Sequence, residues 1–254
     1  MMLKQERQQR LLGYVNDRHR ATVEELSDYL QVSKVTIRRD LDELDAEALI
    51  VKTFGGALSK GSLLSIEIPS SRKTSLCSAE KRRIGEACAA MIEDGDVVVL
   101  DSGTTTIEIA KRIMARQVIA VTNDLSVATA LTARPDVTVL MAGGIVQPGV
   151  NVTTGHETER LFSELHATKT FLAADAWSVE HGITDRNYDL LPIKRAMLAA
   201  GARKILAVDH TKYGQRMFAQ VCPLDLIDAI VSDSFDPAVQ ESLQAAGIEV
   251  IDAG

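Results

Sequence analysis

Apolar residues near the N-terminus recur at helical spacing, most clearly between residues 33 and 44. Ile37, Leu41 and Leu44 stand at i, i+4 and i+7, so they form one stripe that can face a core. Ser33 precedes this stripe and is a good helix N-cap, because its hydroxyl can accept a hydrogen bond from a free N–H of the first turn. The pattern predicts a helix that starts at Ser33.

The segments on either side of this helix predict a small domain around it. Thr22 and Glu25 match a capping box, which opens a helix. A strand-like run farther on is broken by Gly55 and Gly56, which is typical of a β-hairpin. The order of helix, short turn, helix and hairpin predicts a winged helix-turn-helix. The predicted elements are helices over residues 5–14, 22–30 and 33–44 and a hairpin with arms at residues 49–54 and 57–58.

Polar and basic residues lie off the apolar stripe at the start of the third helix. This helix start carries cations and hydroxyls, with no acid before Asp40, so it can enter a major groove, where such side chains read base edges. In the wing, Lys52 and the backbone at Gly55 could approach a phosphate or the minor groove. The alternative is a surface helix with solvated charges and a wing that only closes the small core. The off-stripe residues are Lys34, Thr36, Arg38 and Arg39.

From residue 79 onward, apolar β-branched runs alternate with helical patterns. Continuous apolar strands are typical of a mostly parallel sheet covered by helices on both faces, so the predicted fold class is α/β. The predicted strands are residues 97–100, 118–122, 137–141, 170–174, 204–208, 229–231 and 249–251. The predicted helices are residues 80–92, 106–113, 125–131, 158–165, 192–200 and 237–246. The predicted domains are 1–58 for DNA binding, 59–78 as a Ser-rich linker and 79–254 as the α/β domain.

Polar groups follow five of these strands, and the carboxyl ends of parallel strands meet at one edge, where ligands bind. The sharpest element is D-S-G-T-T-T at residues 101–106. Its glycine turn, hydroxyls and free helix N–H groups predict an anion site suited to phosphate. We therefore expect a pocket for a small polyhydroxylated anion. The strand-end residues are Asp101, Ser102, Gly103, Thr104, Thr105, Thr106, Asn123, Gly143, Gly144, Asp175, Asp209 and Lys212.

Simpler interpretations of these residues stay open. Any single Thr or Asn at a strand end could merely cap a helix, and Trp177 could be plain core packing or a pocket residue. The histidines lack metal-ligand spacing, and no G-x-G-x-x-G motif is present, so neither a metal nor a nicotinamide cofactor is predicted. The histidines considered are His156, His166 and His181.

Charge and composition narrow the class of partner. Residues 1–60 carry ten Lys and Arg against ten Asp and Glu, so the net charge of −7 belongs to the rest of the chain and does not argue against DNA binding at the N-terminus. Aromatic residues make up only 4%, which argues against a stacking surface for single-stranded nucleic acid.

The cysteines and the absence of long apolar stretches both indicate the cytoplasm as the compartment. The three cysteines are scattered and form no C-x-x-C pair, which fits a reducing environment. The N-terminus has no apolar core of a signal peptide, and no stretch approaches the ~20 apolar residues of a membrane helix. We expect a cytoplasmic protein that does not bind membranes.

Several motifs resemble the DeoR family of bacterial transcriptional regulators. In the N-terminal part they are V-S-K-V-T-I-R-R-D-L-D-E-L at residues 32–44 and F-G-G-A at residues 54–57. In the remainder they are D-S-G-T-T-T at 101–106, V-T-N-D-L at 121–125, G-G at 143–144, H-G-I-T-D at 181–185, K-R-A-M at 194–197 and D-H-T-K-Y-G at 209–214. The resemblance covers nearly the whole chain.

The resemblance implies a winged helix-turn-helix that binds double-stranded operator DNA and an effector domain similar to ribose-phosphate isomerases. It implies a regulator, most often a repressor of carbohydrate-metabolism genes, that senses a phosphorylated sugar or a related metabolite. The implied groove-facing residues are Ser33, Lys34, Thr36, Arg38 and Arg39. The implied effector site holds phosphate at residues 102–106 and is completed by Asp101, Asn123, Asp175, Lys194 and Lys212.

Two departures from the family pattern lie beside this site. Ala174 and Asp175 stand where members often carry a Gly-Ala pair, and D-L-L-P at residues 189–192 stands where they often carry a Glu-Glu-Ala-like segment. These changes leave open an effector that is not a sugar phosphate. We also expect a homo-oligomer, a dimer or a tetramer, because one winged helix buries a modest interface that a symmetric dimer doubles on a repeated operator.

The alternative function is an aldose–ketose phosphate isomerase with an attached DNA-binding module. Carboxylates and an ammonium beside a bound sugar are what a proton shuttle needs. A complete helix-turn-helix has no role in a metabolic isomerase, so the expected function is regulation and no catalytic residue is assigned. The groups that could serve the enzyme are Asp101, Asp175, Asp209 and Lys194.

Overall fold

Three helices and a three-stranded sheet form the N-terminal unit of the computed structural model, which describes residues 4–18, 20–47, 49–53, 55–59 and 76–254. The strands pair antiparallel in the order β1-β3-β2. The helices are α1 (Lys4–Arg18), α2 (Val23–Leu30) and α3 (Lys34–Ala46), and the strands are β1 (Arg20–Thr22), β2 (Ile50–Thr53) and β3 (Gly56–Ser59). The predicted wing is thus present, and β1 extends it by a strand that the sequence pattern did not predict.

Local capping chemistry sets the starts of α2 and α3 as predicted. The N–H of Thr22 donates to the Glu25 carboxylate over 2.7 Å, and the N–H of Glu25 donates to the Thr22 hydroxyl over 3.1 Å. The Ser33 hydroxyl accepts the N–H of Thr36 over 3.2 Å. The stripe of Ile37, Leu41 and Leu44 is buried in the core of this unit, as its spacing predicted.

The chain divides into two compact units, Met1–Glu67 and Ile68–Gly254. Most of the predicted linker, with Lys60, Gly61 and Pro69, lies outside the described residues, as does Phe54 of the wing. Among the helices of the described ranges, none is long and apolar enough to cross a membrane.

A seven-stranded sheet forms the centre of the second unit, and every adjacent pair of its strands is parallel. Its strands are β4 (Val97–Leu100), β5 (Val118–Thr122), β6 (Val137–Met141), β9 (Ala167–Leu172), β12 (Gly201–Ala207), β14 (Ala229–Ser232) and β15 (Glu249–Asp252). The spatial order is β15-β14-β12-β9-β4-β5-β6. The five strands predicted to carry site residues are therefore consecutive neighbours, and their carboxyl ends share one edge.

Helices cover both faces of this sheet. In β4, Val98 and Leu100 pack into one apolar cluster and Val99 into another, because successive side chains of a strand point to opposite faces. Both clusters are buried, which explains why the strand is apolar at each position. The helices are α4 (Ser78–Ala90), α5 (Thr104–Ala110), α6 (Leu125–Leu131), α7 (His156–Ser163), α8 (Leu191–Ala200) and α9 (Pro237–Ala245).

Short antiparallel strands near the carboxyl edge were not predicted. β7 (Ile145–Gln147) and β8 (Val152–Thr154) form a hairpin, and a small sheet in the order β10-β11-β13 consists of β10 (Ala176–Ser178), β11 (Gly182–Asp185) and β13 (Ala219–Cys222). Strands of three or four residues are too short to show a period of two. The prediction that α5 begins at Thr106 was also late, since the helix begins at Thr104.

Candidate functional site

The start of α3 presents an exposed polar surface in the N-terminal unit. The hydroxyls of Ser33 and Thr36 lie 2.9 Å apart, and both belong to the cap. Lys34 donates to Glu24 over 2.6 Å at the surface, an interaction that salt and a competing phosphate readily replace. Arg39 lies 3.8 Å from Glu43, and Arg38 is exposed with no ion pair or hydrogen bond seen among the described residues. Arg38 is therefore the cation here most available to a ligand.

The wing holds its predicted residues close to α3. Lys52 forms an ion pair with Asp42, and its N–H donates to Asp45 over 2.9 Å. Gly55 has φ +94°, a left-handed conformation that favours glycine, and its carbonyl accepts the N–H of Val23. The wing backbone is thus fixed to the start of α2, and Gly55 itself is exposed.

Val35 belongs to this surface, although the sequence reasoning missed it. It is 72% exposed on the first turn of α3, between Lys34 and Thr36. An exposed aliphatic side chain there can contact a thymine methyl group in a major groove. Its position off the apolar stripe could have indicated this exposure, because a valine at that position cannot pack into the core.

An ion pair joins α1 to the buried side of α3. Arg7 donates twice to Asp40, from Nε over 2.5 Å and from a terminal nitrogen over 2.9 Å. The Asp40 side chain is 1% exposed and that of Arg7 15%, so the pair lies inside the unit. The hydrogen bond and charge of Asp40 raise the pKa of Arg7, against the effect of burial. Asp40 thus positions an arginine of another helix and, because it is buried, does not reach a DNA base.

In the second unit, the ends of β4 and β9 and the helix α8 meet at Lys194. Its ammonium lies 2.6 Å from Asp101 Oδ2, 3.0 Å from Asp185 Oδ2 and 2.8 Å from the carbonyl of Ala173. Three acceptors use the three protons of an ammonium. Lys194, at 3% exposure, therefore joins two buried carboxylates at the sheet edge.

Burial and neighbouring charges shift the pKa values of Lys194 and Asp185. Burial by itself would lower the pKa of Lys194, but Asp101 and Asp185 outweigh it and hold that pKa above its ordinary value. Burial raises the pKa of Asp185 to about 6, against the attraction of Lys194 and with the repulsion of Asp175. Asp185 is a further site residue that the sequence reasoning did not name.

Two carboxylates occupy part of the turn predicted to bind phosphate. The N–H of Ser102 donates to Asp101 over 2.7 Å, and the N–H of Gly103 donates to Asp124 over 3.1 Å. Burial raises the pKa of Asp124, although backbone N–H donors oppose this. The Ser102 hydroxyl donates to Asp101 over 3.4 Å, and the Thr106 hydroxyl donates to the carbonyl of Gly103 over 2.8 Å. Among the described residues, the donors that remain are the hydroxyls of Thr104 and Thr105 and the first N–H groups of α5 at residues 104–106, which have no carbonyl partner within the helix.

Asn123 and the two glycines place neighbouring segments around the edge. Asn123 donates from Nδ2 to the carbonyl of Thr153 over 2.9 Å, while its Oδ1 is buried without a hydrogen-bond partner. A Cβ on Gly144 would lie 2.2 Å from Thr158 Oγ1, so this glycine allows a close approach. The Gly143 carbonyl accepts that same hydroxyl over 2.7 Å. These glycines therefore have a packing role at the start of the β7–β8 hairpin.

The predicted residues after β12 have separate partners. Asp209 accepts the N–H of Thr211 over 3.2 Å and caps a short 3₁₀ helix, His210–Lys212. Lys212 lies on this 3₁₀ helix. Trp177 packs against Tyr213 with ring centroids 4.9 Å apart, and its Nε1 is buried without a hydrogen-bond partner. Lys194, Asp101 and Asp175 are brought together by the fold, whereas contacts from Asp209 or Lys212 to that cluster are not seen in the part of the chain that the structure describes.

Arg186 directly follows β11 and is the largest omission of the sequence reasoning. Its side chain is 7% exposed, and its Nε lies 3.7 Å from Asp175 Oδ2, an ion pair but not a hydrogen bond. Two of its nitrogens, Nε and one terminal nitrogen, are buried without a hydrogen-bond partner in the described ranges of the chain. The sequence carried no signal of its burial, because β11 reads Gly-Ile-Thr-Asp and an arginine beside an acid looks the same at a surface.

Both units match models of one protein family. Residues 7–62 match the DeoR-like helix-turn-helix domain, and residues 77–234 match the DeoR C terminal sensor domain. The chain belongs to the DeoR family. It is a DNA-binding transcriptional regulator with a sensor domain, and the α/β fold with an N-terminal helix-turn-helix is confirmed.

Relatives of the same length support this assignment. The regulator is 31% identical over 98% of its length to the HTH-type transcriptional repressor GlcR of Bacillus subtilis, covering 96% of that protein. It is 29% identical over 99% of its length to the lactose phosphotransferase system repressor of Staphylococcus aureus, covering all of that protein. A D-ribose-5-phosphate isomerase structure matches 54% of each chain with a TM-score of 0.41 and 14% identity, too low a likeness to assign a ligand or a reaction.

Proposed function

We propose that this regulator represses genes of carbohydrate use and is controlled by a phosphorylated sugar or a related metabolite. The observation that carries this proposal is the presence, in one chain, of a helix whose exposed start is basic and a sensor sheet whose edge gathers buried charges and helix N–H groups. Relatives named as repressors, one of a lactose transport system, support it. To switch, the effector must bind the DNA-free and DNA-bound states with different affinity.

We propose that α3 lies in the major groove and that the wing contacts the backbone. The DNA-binding residues are Ser33, Lys34, Thr36, Arg38, Arg39, Lys52 and Gly55, with Val35 added on its exposure. Because one such surface is small, we propose that a homodimer or tetramer binds a repeated operator. The proposed domains are residues 1–58 and 79–254, joined by 59–78, and the proposed location is the cytoplasm, where an operator is found.

Replacing Arg38 with alanine should cost about 1–3 kcal/mol of operator binding if the guanidinium reads a base edge. Selection of duplexes from a random pool with the wild-type protein would identify the operator. Binding of the variant is then measured on that duplex and on a scrambled one, with Arg10→Ala on α1 as the matched control. A loss on the selected duplex alone supports base reading, and an equal loss on both assigns Arg38 to a phosphate.

We propose that the effector phosphate binds at residues 102–106 and that the sugar contacts the residues around it, namely Asp101, Asn123, Gly143, Gly144, Asp175, Lys194, Asp209 and Lys212. Lys194 would act mainly by holding Asp101 and Asp185, since its protons are already donated. This assignment is supported by the open donors at the start of α5 and by the polar rim shared by five neighbouring strands.

Replacing Ser102 with alanine and Thr104 with valine together should weaken sugar-phosphate binding by roughly 10²- to 10⁴-fold, because each of the two lost hydrogen bonds to a charged group costs about 1.5–3 kcal/mol and about 1.4 kcal/mol corresponds to a factor of ten. Calorimetry on the full chain with pentose and hexose phosphates measures this, and Thr129→Ala on α6 is the control. The same incubations are followed for aldose–ketose conversion. Turnover would favour the isomerase alternative, and binding without turnover favours a sensor.

A further inference from the structure

Arg186 is buried in an unfavourable way, because part of its guanidinium lacks hydrogen bonds to the described residues. Its guanidinium is more than nine-tenths buried, yet Nε and one terminal nitrogen have no hydrogen-bond acceptor among the residues that the structure describes. Buried donors of a charged group left unpaired are strongly unfavourable, and proteins rarely keep them without a reason. An acceptor supplied by a ligand would remove this cost.

The backbone around Arg186 is held rigidly. Its own N–H donates to Asp185 Oδ1 over 2.8 Å, and the side chain of Asn187 donates to Gln147 of the β7–β8 hairpin over 2.8 Å. Gln147 in turn donates to Asp189 over 3.1 Å. The guanidinium therefore stands on a segment that two hydrogen bonds tie to the β7–β8 hairpin, which is an arrangement expected of a preorganised binding group.

Arg186 is also connected to the proposed phosphate turn through the buried charges. Arg186 faces Asp175, Asp175 interacts with Asp185, and Asp185 contacts Lys194. Lys194 contacts Asp101, which accepts the N–H of Ser102 at the turn. Lys194 has no proton left to donate, so Arg186 is the cation of this chain of contacts that retains open donors.

We propose that Arg186 binds a carboxylate of the effector, so that the effector is a phosphorylated sugar acid with phosphate at the turn and its acid group at Arg186. This inference rests on the proposed function. A planar guanidinium matches the two oxygens of a carboxylate, and it supplies both charge and hydrogen bonds. A neutral sugar hydroxyl would satisfy one donor and leave the other buried donor unpaired, with only the 3.7 Å ion pair to Asp175 beside it.

Matched ligand pairs test the proposal by calorimetry on the full chain. The probes are ribose-5-phosphate against 5-phosphoribonate and glucose-6-phosphate against 6-phosphogluconate, with ribonate and gluconate as acids that lack phosphate. In the wild type, one of the phosphorylated acids is expected to bind at least ~10-fold more tightly than its aldose phosphate, since a charge-assisted bidentate pair is among the stronger polar contacts.

The Arg186→Met variant is expected to lose this preference while its affinity for the aldose phosphates changes less than ~3-fold, and Arg186→Lys should recover only part of it. Arg195→Met on α8, whose guanidinium donates to the carbonyls of Gln220 and Val221, is the matched control. The melting temperature of each unliganded variant verifies that it is folded.

The outcomes separate the two proposals. If the wild type binds aldose phosphates and their acids equally, or if Arg186→Met weakens both classes equally, the carboxylate assignment is overturned while the sugar-phosphate sensor stands. If no phosphorylated probe binds the wild type, the proposed function fails first. A preference for the acid that disappears only in the Arg186 variants supports the inference.

Discussion

Replacing Lys194 with methionine is expected to lower the free energy of unfolding of the sensor domain by about 3–5 kcal/mol. Lys194 forms ion pairs with both Asp101 and Asp185, whose side chains are 1% and 7% exposed, and its removal leaves both carboxylates buried without that cation. For a domain of this size the melting temperature should fall by roughly 10 °C, since 1 kcal/mol corresponds to about 2–4 °C. Thermal unfolding of the full chain, followed by calorimetry, measures this directly.

The loss of stability in Lys194→Met should grow as the pH rises. Burial raises the pKa of Asp185 to about 6 even beside Lys194, and without Lys194 the attraction that opposes this rise is gone, so the folded variant binds more protons than the unfolded chain and loses stability as the pH rises from about 4. The deficit against the wild type should therefore be smaller at pH 5 than at pH 8. Lys111→Met is the matched control, because Lys111 and Glu108 pair at the surface. Equal stability of Lys194→Met and the wild type at pH 8 would contradict the role assigned to this lysine.

Replacing Arg7 with methionine is expected to cost the helix-turn-helix about 3 kcal/mol and with it most operator binding. The change leaves Asp40 charged and buried behind the recognition helix, and the cost lies toward the lower end for a broken buried pair because Arg7 is partly exposed. The free energy of unfolding of a domain this small is low, so this loss is a large part of it. Chemical unfolding followed by circular dichroism, together with binding to the selected operator, measures both effects.

Two further variants isolate the cause. Arg10→Met removes an exposed partner of Glu6 on the same helix and should change stability by less than about 1 kcal/mol. The double change Arg7→Met with Asp40→Leu removes both charges and should recover most of the loss, since an apolar pair of similar volume can replace a buried ion pair. If the double variant were as unstable as Arg7→Met, packing of the arginine stem rather than the unpaired carboxylate would explain the loss.

The elements that the sequence predicted well are those set by local chemistry. The starts of α2 and α3 follow from the Thr22–Glu25 box and the Ser33 cap, which bond over three residues. Strands β4, β5 and β6 are mostly apolar runs of four or five residues between turn residues, so their limits were visible. The hairpin β7–β8 and the sheet β10-β11-β13 were missed because their short strands are defined by their partners rather than by a periodic pattern.

The candidate sites were predictable in part. Exposure off an apolar stripe selected Arg38, and the order of strands and polar turns selected Asp101. Lys194 came from the resemblance to the DeoR family. The same reasoning could not find Arg186, because a surface arginine and a buried one look alike in sequence. It also could not tell that the N–H groups of Ser102 and Gly103 are already used by carboxylates.

The sequence by itself determined that a winged helix-turn-helix precedes a parallel α/β sensor and that polar turns follow adjacent strands, because caps, helical spacing and apolar runs act over a few residues. Only the tertiary structure decided which charges meet. Arg7 and Asp40 are 33 residues apart along the chain, and Lys194 and Asp101 are 93 apart. Whether a charged group becomes a buried partner, a free contact for DNA or an unpaired donor depends on what the fold brings beside it.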